Sequence, residues 1–353
     1  MVCLPLTGFI SDRWGRRIAV AFSAFNACWL GATRYFANTY IVFVFLQFLE
    51  SSLGNGAYTA CFILLMEIVG PKYRVIIGTL TQTFFSVGQV TVGLIAWVVP
   101  DWRNLTLIIY LPQIISVSYL WIMTESIRWH MSKGRYDKSE ETLRKMAKAN
   151  GKVLSQKSLD ALKNSAQEFK IKQDMMKENM KNEPWLIAIV FQHKAILVRC
   201  IVSPILWVTM TFVYYGMSIN AVNLSGNRYL NYVAVSMVQI PGYWTAMFLL
   251  DRIGRRPVLM GAYWICAICL LAYIFVPEGQ YVVSLCLYLI GSYCSATVVT
   301  ALYIYTTELY PTKYRHRLFA FSSAVGRIGS LLAPLSPALV NLDIFISIIL
   351  LGY

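Results

Sequence analysis

Carboxylates and arginines recur in two short motifs, each present twice in the 353-residue chain. Segment 12–17 (DRWGRR) returns as 251–256 (DRIGRR), 239 positions later (251 against 12). Segment 67–74 (EIVGPKYR) returns as 308–315 (ELYPTKYR), 241 positions later (308 against 67). Two unrelated motifs that share one spacing indicate two copies of one architectural unit. In an apolar chain, this repeat points to a transporter built from two related membrane halves.

The repeated residues have the chemistry of a charged turn that can change its partners. Gly15 and Gly254 supply tight turns, and Asp12 and Asp251 can cap a helix or pair with an arginine. In each copy, the glutamate and arginine that flank the second motif, such as Glu67 and Arg74, can pair in one conformation and separate in another. The alternatives are that the arginines only anchor the topology and that the pairs are static.

Arg327 is the single residue most indicative of function, because it lies inside a predicted apolar helix with no acid three or four positions away. A lone arginine there is costly unless it faces a water-filled cavity or a partner. A cationic group at mid-membrane favours a substrate carboxylate. The alternative is that Arg327 pairs with an acid such as Glu50 and serves folding only.

The elements that position these residues are predicted to be membrane-spanning helices. The chain is 57% hydrophobic and only 14% charged, whereas soluble domains are about 25% charged. The predicted spans are 18–35, 40–68, 75–99, 104–124, 195–220, 229–250, 257–277, 281–306 and 317–341. Residues 1–10 and 343–353 are apolar but too short, so we expect the first span to be missing and the last to be incomplete.

The net positive charge of the chain indicates the orientation of its spans in the membrane rather than nucleic-acid binding. If the spans alternate sides, nearly all of the 31 lysines and arginines fall on the side of both DRxGRR turns, and Arg34, Arg103 and Arg228 fall on the other. The positive-inside rule places both turns in the cytoplasm. The predicted domains are an N-terminal bundle (1–124), a cytoplasmic helical linker (125–194) and a C-terminal bundle (195–353).

Several segments together resemble the major facilitator superfamily. The turn 8–17 (GxxxDRxGRR) resembles the signature after the second span of that superfamily. Segments 125–135 (ESIRW, then SKGR) and 308–312 (ELYPT) resemble motifs at the ends of spans six and ten. Segments 214–227 and 322–330 narrow the resemblance to the organic cation, organic anion and carnitine transporter family. Ile127, Gln47 and Gln239 depart from that family, which usually has proline, arginine and an acid there.

The resemblance implies a fold of two pseudo-symmetric helical bundles and assigns roles to residues. It implies a conformational gate that latches the two halves in the outward-facing state. The residues of this gate are Gly8, Asp12, Arg13, Gly15, Arg16, Arg17, Glu67, Arg74, Asp251, Arg252, Gly254, Arg255, Arg256, Glu308 and Arg315. It also implies a substrate pocket. The residues expected there are Arg327, Tyr214, Tyr215, Tyr303, Gln82, Phe85 and Gln239. Members of the family that handle anions and carnitine carry arginine at the position that matches Arg327. The resemblance therefore favours those substrates.

The predicted function is secondary transport of a small organic ion by alternating access. An organic anion or a carnitine-like zwitterion is favoured over an organic cation, and the coupling ion is Na⁺ or H⁺. We expect a monomer in the plasma membrane, with no nucleic acid, enzymatic activity, metal or cofactor. One alternative is a sugar-type facilitator of the same superfamily. The other is a non-transporting interaction or sensor protein, which a missing first span would favour.

Overall fold

A computed structural model describes residues 3–54, 56–70, 73–151, 156, 194–277, 279–310 and 315–335. All regular secondary structure within these ranges is helical, and they contain no strand. The all-α prediction is therefore confirmed. The linker beyond Gly151, the side chain of Arg315 and the end of the last predicted span lie outside the described residues.

The chain divides into two compact units. The first contains the described residues within Met1–Gly78 and Val99–Glu183, and the second those within Thr79–Val98 and Pro184–Tyr353. The predicted first bundle included 75–99, but most of that helix belongs to the second unit. Gly93 explains this grouping, because a Cβ there would lie 2.9 Å from side-chain atoms of Tyr232 and Val233. The missing side chain lets the helix pack closely.

The first unit is arranged around α2. Its helices are α1 (Cys3–Trp14), α2 (Arg16–Thr33), α3 (Tyr40–Leu53), α4 (Gly56–Ile68), α6 (Trp102–Tyr110), α7 (Tyr119–Ile122), α8 (Ile127–Ser132) and α9 (Tyr136–Ala149). Small buried residues such as Ala19, Ala24 and Ala27 let neighbouring helices approach α2 closely. The first residues of α5 (Arg74–Val98) also belong to this unit.

The single span predicted at 40–68 is wrong in one respect, because the structure breaks it into α3 and α4. The break follows two close helix contacts. A Cβ on Gly54 would lie 2.8 Å from the Cα atom of Ala27, and one on Gly56 would overlap Thr7. The predicted span 104–124 is also irregular, since a 3₁₀ helix, Leu111–Ser118, with Pro112 in its first turn, joins α6 to α7.

The second unit consists of long helices. They are most of α5, then α10 (Lys194–Asn220), α11 (Arg228–Arg252), α12 (Arg255–Ile274), α13 (Tyr281–Leu309) and α14 (Arg315–Leu332). Its core contains Trp207, Met210, Leu250 and Leu302, all buried. Within the described part of the chain, six helical segments are long and apolar enough to cross a bilayer. They are Arg74–Val98, Trp102–Ile122, Ile196–Asn223, Arg228–Arg252, Arg255–Ile274 and Tyr281–Leu309.

Glycines set the contact between α10 and α14. A Cβ on Gly326 would lie 2.9 Å from Cβ of Trp207, and one on Gly329 would overlap the Val208 carbonyl oxygen. The Thr211 hydroxyl donates to the carbonyl oxygen of Gly326 at 2.5 Å. Small residues at such an interface let the two backbones meet. This contact fixes the position of α14, the helix that carries Arg327.

We expect Gly329→Ala to destabilise the second unit by about 1–3 kcal/mol, because the added methyl group overpacks a backbone contact. Gly261→Ala is the matched control, since Gly261 lies in α12 and has no atom within 4 Å of a built Cβ. That change should be neutral or stabilising by up to about 1 kcal/mol. Thermal unfolding in detergent measures both, and equal midpoints would contradict this packing argument.

Candidate functional site

The first repeated turn is closed by the carboxylate of Glu125. Gly15 has φ +115°, a conformation that favours glycine, and α2 begins at the next residue. Glu125 Oε1 accepts hydrogen bonds from the backbone N–H groups of Arg16 and Ser126, both at 2.9 Å, and Oε2 accepts from Arg17 N–H at 3.2 Å. An acid that binds the first N–H groups of a helix satisfies unpaired donors and complements the helix dipole.

Arg16 joins the two repeated motifs of the first unit. Its guanidinium pairs with Asp12 Oδ1 at 2.7 Å and with Glu67 Oε1 at 3.4 Å. The side chains of Arg16 and Glu67 are only 15% and 18% exposed. A charge held so far from water needs a partner. The turn after α1 and the end of α4 are therefore fastened by one arginine.

The second unit repeats this arrangement around Arg255. The Arg255 guanidinium pairs with Glu308 at 3.1 Å and with Asp251 at 3.5 Å. Gly254 has φ +97°, as the equivalent of Gly15. Unlike Gly15, it has only one atom near a built Cβ, Cδ of Pro257 at 3.9 Å, and no carboxylate of the described residues accepts from the first N–H groups of α12. The ion pairs are thus common to both units, whereas the carboxylate cap is described only in the first.

The sequence predicts that Glu67 can form an ion pair with Arg74, whereas in the structure Glu67 pairs with Arg16. Within the described residues, Glu67 and Arg74 form no ion pair, and Glu67 Oε2 and Arg74 Nε are buried without hydrogen-bond partners. The reason is packing, since α2 lies against α4 and brings Arg16 to the carboxylate. The analogous prediction for Glu308 and Arg315 lies outside the described side chains.

Within the described ranges, the other predicted gate residues surround these turns without joining the ion pairs. Gly8 lies in α1 with no atom within 4 Å of a built Cβ, and the Arg13 guanidinium lies 5.8 Å from the ring of Phe9. Arg17 donates through Nη1 to the Met123 carbonyl oxygen at 3.4 Å. In the second unit, the equivalent residues Arg252 and Arg256 are exposed.

Arg327 lies on α14, partly exposed, beside two tyrosines of the predicted pocket. Within the described part of the chain, its guanidinium has no ion pair or hydrogen bond. It is close enough to the Tyr303 hydroxyl to interact electrostatically, and Tyr215 is a further neighbour of that hydroxyl. The Tyr303 ring packs edge-on against Trp207, with centroids 4.7 Å apart. The charge therefore stands at an aromatic surface, and no acid of the described residues neutralises it.

A buried hydrogen-bond network extends from this surface into the second unit. The Tyr214 ring lies 5.4 Å from that of Tyr215, and its hydroxyl donates to Gln239 Oε1 at 3.0 Å. Gln239 Oε1 also accepts from Ser86 Oγ at 3.4 Å and from the Tyr243 hydroxyl at 3.5 Å. Three donors thus converge on one uncharged oxygen. Tyr214 and Gln239 are buried, and their polar atoms bind protein groups.

The two remaining pocket residues lie on α5. Gln82 precedes Ser86 by one helical turn and Phe85 is its neighbour in sequence; both side chains are at least partly exposed. Ser86 links α5 to Gln239 on α11. The structure therefore brings Arg327, Tyr303, Tyr215, Tyr214 and Gln239 into one series of neighbours, with Gln82 and Phe85 on a helix that contacts its inner end.

Several residues that hold these sites together were not predicted from the sequence. In the sequence, Glu125 was recognised only as part of the 125–135 motif. An acid close to a cationic turn is nevertheless a signal that its carboxylate caps the helix that follows the turn. Trp129 donates through Nε1 to the Asp12 carbonyl oxygen at 3.1 Å, which ties α8 to the turn. Tyr243, one turn after Gln239, bonds the Tyr214 hydroxyl at 3.0 Å. Tyr243 lies four residues after Gln239, and this helical spacing was the signal in the sequence that the two side chains share one face of α11.

His130 is a titratable residue of α8 in the first unit. It is 8% exposed, and its Nδ1 atom has no hydrogen-bond partner. Burial lowers the pKa of His130, and the charges of Lys138, Arg135 and Arg17 add to this effect, while Glu125 opposes it. The folded chain therefore favours the neutral imidazole.

We expect Gly15→Ala to destabilise the chain more than Gly254→Ala. Both changes force alanine into a positive-φ conformation, at a cost of about 1–2 kcal/mol. Only the methyl group at position 15 would also overlap the Glu125 carboxylate and displace the cap, which adds about 1 kcal/mol. Thermal unfolding in detergent gives the difference. Equal effects would mean that Glu125 does not hold the turn.

We expect His130 to make stability fall at acidic pH. Because its pKa is lower in the folded chain, the unfolded chain binds the proton first, and stability is lost as the pH falls below about 6.5 towards the folded pKa. His130→Leu should flatten this part of the stability profile. Melting temperatures of both proteins between about pH 7.5 and about pH 5 test it; parallel profiles would contradict it.

Known proteins resemble the chain along nearly all of its length. The profile of the family described as "Sugar (and other) transporter" matches residues 1–338. The chain is 30% identical to Organic cation/carnitine transporter 2 of Homo sapiens over 98% of this chain and 61% of that protein. It is 32% identical to an Organic cation transporter protein of Drosophila melanogaster, over 93% and 59%. The chain spans about three fifths of the length of these curated relatives.

The fold is that of solved transporters. The inward-open xylose transporter XylE of E. coli matches with a TM-score of 0.68 at 17% identity, over 93% of this chain and 75% of that one. At this identity the likeness concerns the fold alone. The profile match, the internal repeat and the helical fold agree with one another. The chain belongs to the sugar (and other) transporter family of the major facilitator superfamily and is a multi-pass membrane protein.

Proposed function

We propose that this chain carries small organic ions across a membrane by alternating access, and that its substrate bears a carboxylate or another anionic group. An organic anion or a carnitine-like zwitterion fits this description best, and an organic cation fits less well. Plasma membrane is the proposed location. The proposed form is a monomer coupled to an ion gradient, without enzymatic activity.

The observation that carries the proposal is the unneutralised charge of Arg327. A guanidinium within a membrane helix is costly, so it is expected to meet a partner or water. The described residues offer it no carboxylate, and its side chain remains partly exposed. A substrate carboxylate supplies the missing charge, and the planar guanidinium binds it through two parallel hydrogen bonds.

The neighbouring tyrosines extend the recognition of a zwitterion. Tyr303 is 37% exposed, next to Arg327, and Tyr215 lies beside it. An aromatic face attracts a quaternary ammonium group through its ring electrons. A carnitine-like molecule carries both a carboxylate and such a cation, so an arginine and a tyrosine face together fit its two ends. The Tyr214–Gln239 network adjoins Tyr215, because the rings of Tyr214 and Tyr215 are in edge-on contact.

The ion pairs of Arg16 and Arg255 support alternating access. Each unit closes its turn with one arginine and two carboxylates, which can exchange partners without leaving a charge unpaired. The relatives named as organic cation and carnitine transporters support a small organic ion as the substrate, and one of these names includes the zwitterion carnitine. A sugar-type facilitator is the second candidate, since the Tyr214–Gln239–Tyr243 network is uncharged and rich in hydroxyl groups.

We expect uptake of an anionic substrate to depend on the charge of residue 327. Cells that express the chain are given radiolabelled carnitine, para-aminohippurate, tetraethylammonium or xylose. Arg327→Gln and Arg327→Asp should reduce carnitine or para-aminohippurate uptake about tenfold or more, because a charge-assisted hydrogen bond contributes about 1.5–3 kcal/mol. Arg327→Lys should keep part of the activity.

Arg228→Gln is the matched control, because it removes one arginine of the second unit far along the chain from α14. Uptake is normalised to the surface expression of each variant. Anion uptake that survives Arg327→Asp would contradict the proposed role of Arg327. Uptake of xylose alone would favour the sugar-type function, and uptake of none of the four would contradict the proposed transport.

A further inference from the structure

The first unit holds two opposite charges that are buried but not in direct contact. Arg34 and Glu50 are only 7% and 9% exposed. Gln47 stands between them. Its Oε1 atom accepts from Arg34 Nη1, and its Nε2 atom donates to Glu50 Oε2 at 3.3 Å. Within the described residues no ion pair joins Arg34 to Glu50, so the amide bridges the two charges.

Few titratable groups of the described residues act on this bridge. Arg34 follows α2, Gln47 and Glu50 lie one turn apart on α3, and the ring of Tyr110 on α6 faces the Arg34 guanidinium at 4.7 Å. Arg34 and Tyr110 are the groups whose charges act on Glu50 or respond to it. The Arg34–Gln47–Glu50 bridge therefore depends on one carboxyl whose protonation can change.

The bridge satisfies both charges poorly. An ionised carboxylate offers about four acceptor sites, and Gln47 supplies one long hydrogen bond. Arg34 Nε is buried without a partner. Direct contact between Arg34 and Glu50 would suit an ionised carboxylate, whereas the amide bridge suits a neutral carboxylic acid. Protonation of Glu50 would therefore favour the amide bridge, and loss of that proton would favour direct contact with Arg34.

We propose that Glu50 is the proton-binding residue that couples substrate movement to an H⁺ gradient. The inference rests on the transport function proposed above. The Glu50 carboxylate takes one proton from solution on one side and becomes a carboxylic acid. It returns that proton on the other side and becomes a carboxylate again. Sodium fits this site less well, because the Arg34 guanidinium repels a second fixed cation and a single carboxyl supplies too few oxygens.

Reconstituted liposomes test the coupling directly. A gradient of about one pH unit should drive about tenfold accumulation of labelled carnitine if one proton accompanies each substrate. Glu50→Gln should reduce this accumulation to the equilibrium level while preserving exchange of external for internal carnitine. Glu50→Asp should retain pH-driven accumulation. Asp101→Asn is the matched control, since it removes an exposed carboxyl of the same unit but keeps a helix cap.

The outcomes separate coupling from transport. Accumulation by Glu50→Gln that still follows the pH gradient would overturn the proposal, and so would wild-type accumulation that ignores pH. In both cases the transport function would stand. Infrared difference spectroscopy gives an independent readout: wild-type protein should show a carboxylic acid band that appears on acidification and is absent in Glu50→Gln. If no labelled probe is transported, the proposed function fails, and this band still decides whether Glu50 exchanges a proton.

Discussion

The turns that begin α2 and α12 depend on one requirement, that an arginine at the edge of an apolar region keeps a carboxylate partner. Arg16 meets it with Asp12 and Glu67, and Arg255 with Asp251 and Glu308. Each set links residues more than 50 positions apart in sequence, so each arginine positions the ends of several helices. Two helices that carry predicted pocket residues, α11 and α13, end at the second set of pairs.

The sequence could predict this arrangement only in part. The repeat identified the residues, because a duplicated motif retains the same residue types wherever the same contact is made. It did not identify the partner of Glu67, since Arg74 is nearest in sequence whereas Arg16 is brought close by the packing of α2 on α4. Glu125 was overlooked because its role requires knowing that α8 returns to the Gly15 turn. Such tertiary contacts leave no local periodicity.

The positions of the helices could be predicted where a helix corresponds to a long, uninterrupted apolar segment of the sequence. All six of the long apolar segments overlap predicted spans. The break between α3 and α4 was not predictable, because Gly54 and Gly56 are compatible with a helix until Ala27 and Thr7 approach. The pocket shows the same limit. Arg327 could be singled out by its charge, whereas Tyr243 and Ser86 are ordinary residues until three donors meet on Gln239.

The unequal burial of the two ion-pair sets has a consequence for their dependence on ionic strength. Arg255 and Glu308 are 36% and 49% exposed, whereas Arg16 and Glu67 are 15% and 18% exposed. Dissolved ions screen exposed charges strongly and buried ones weakly. Rising ionic strength therefore weakens the ion pairs of the second unit before those of the first. Two turns with the same residues thus differ in their response to the surrounding electrolyte.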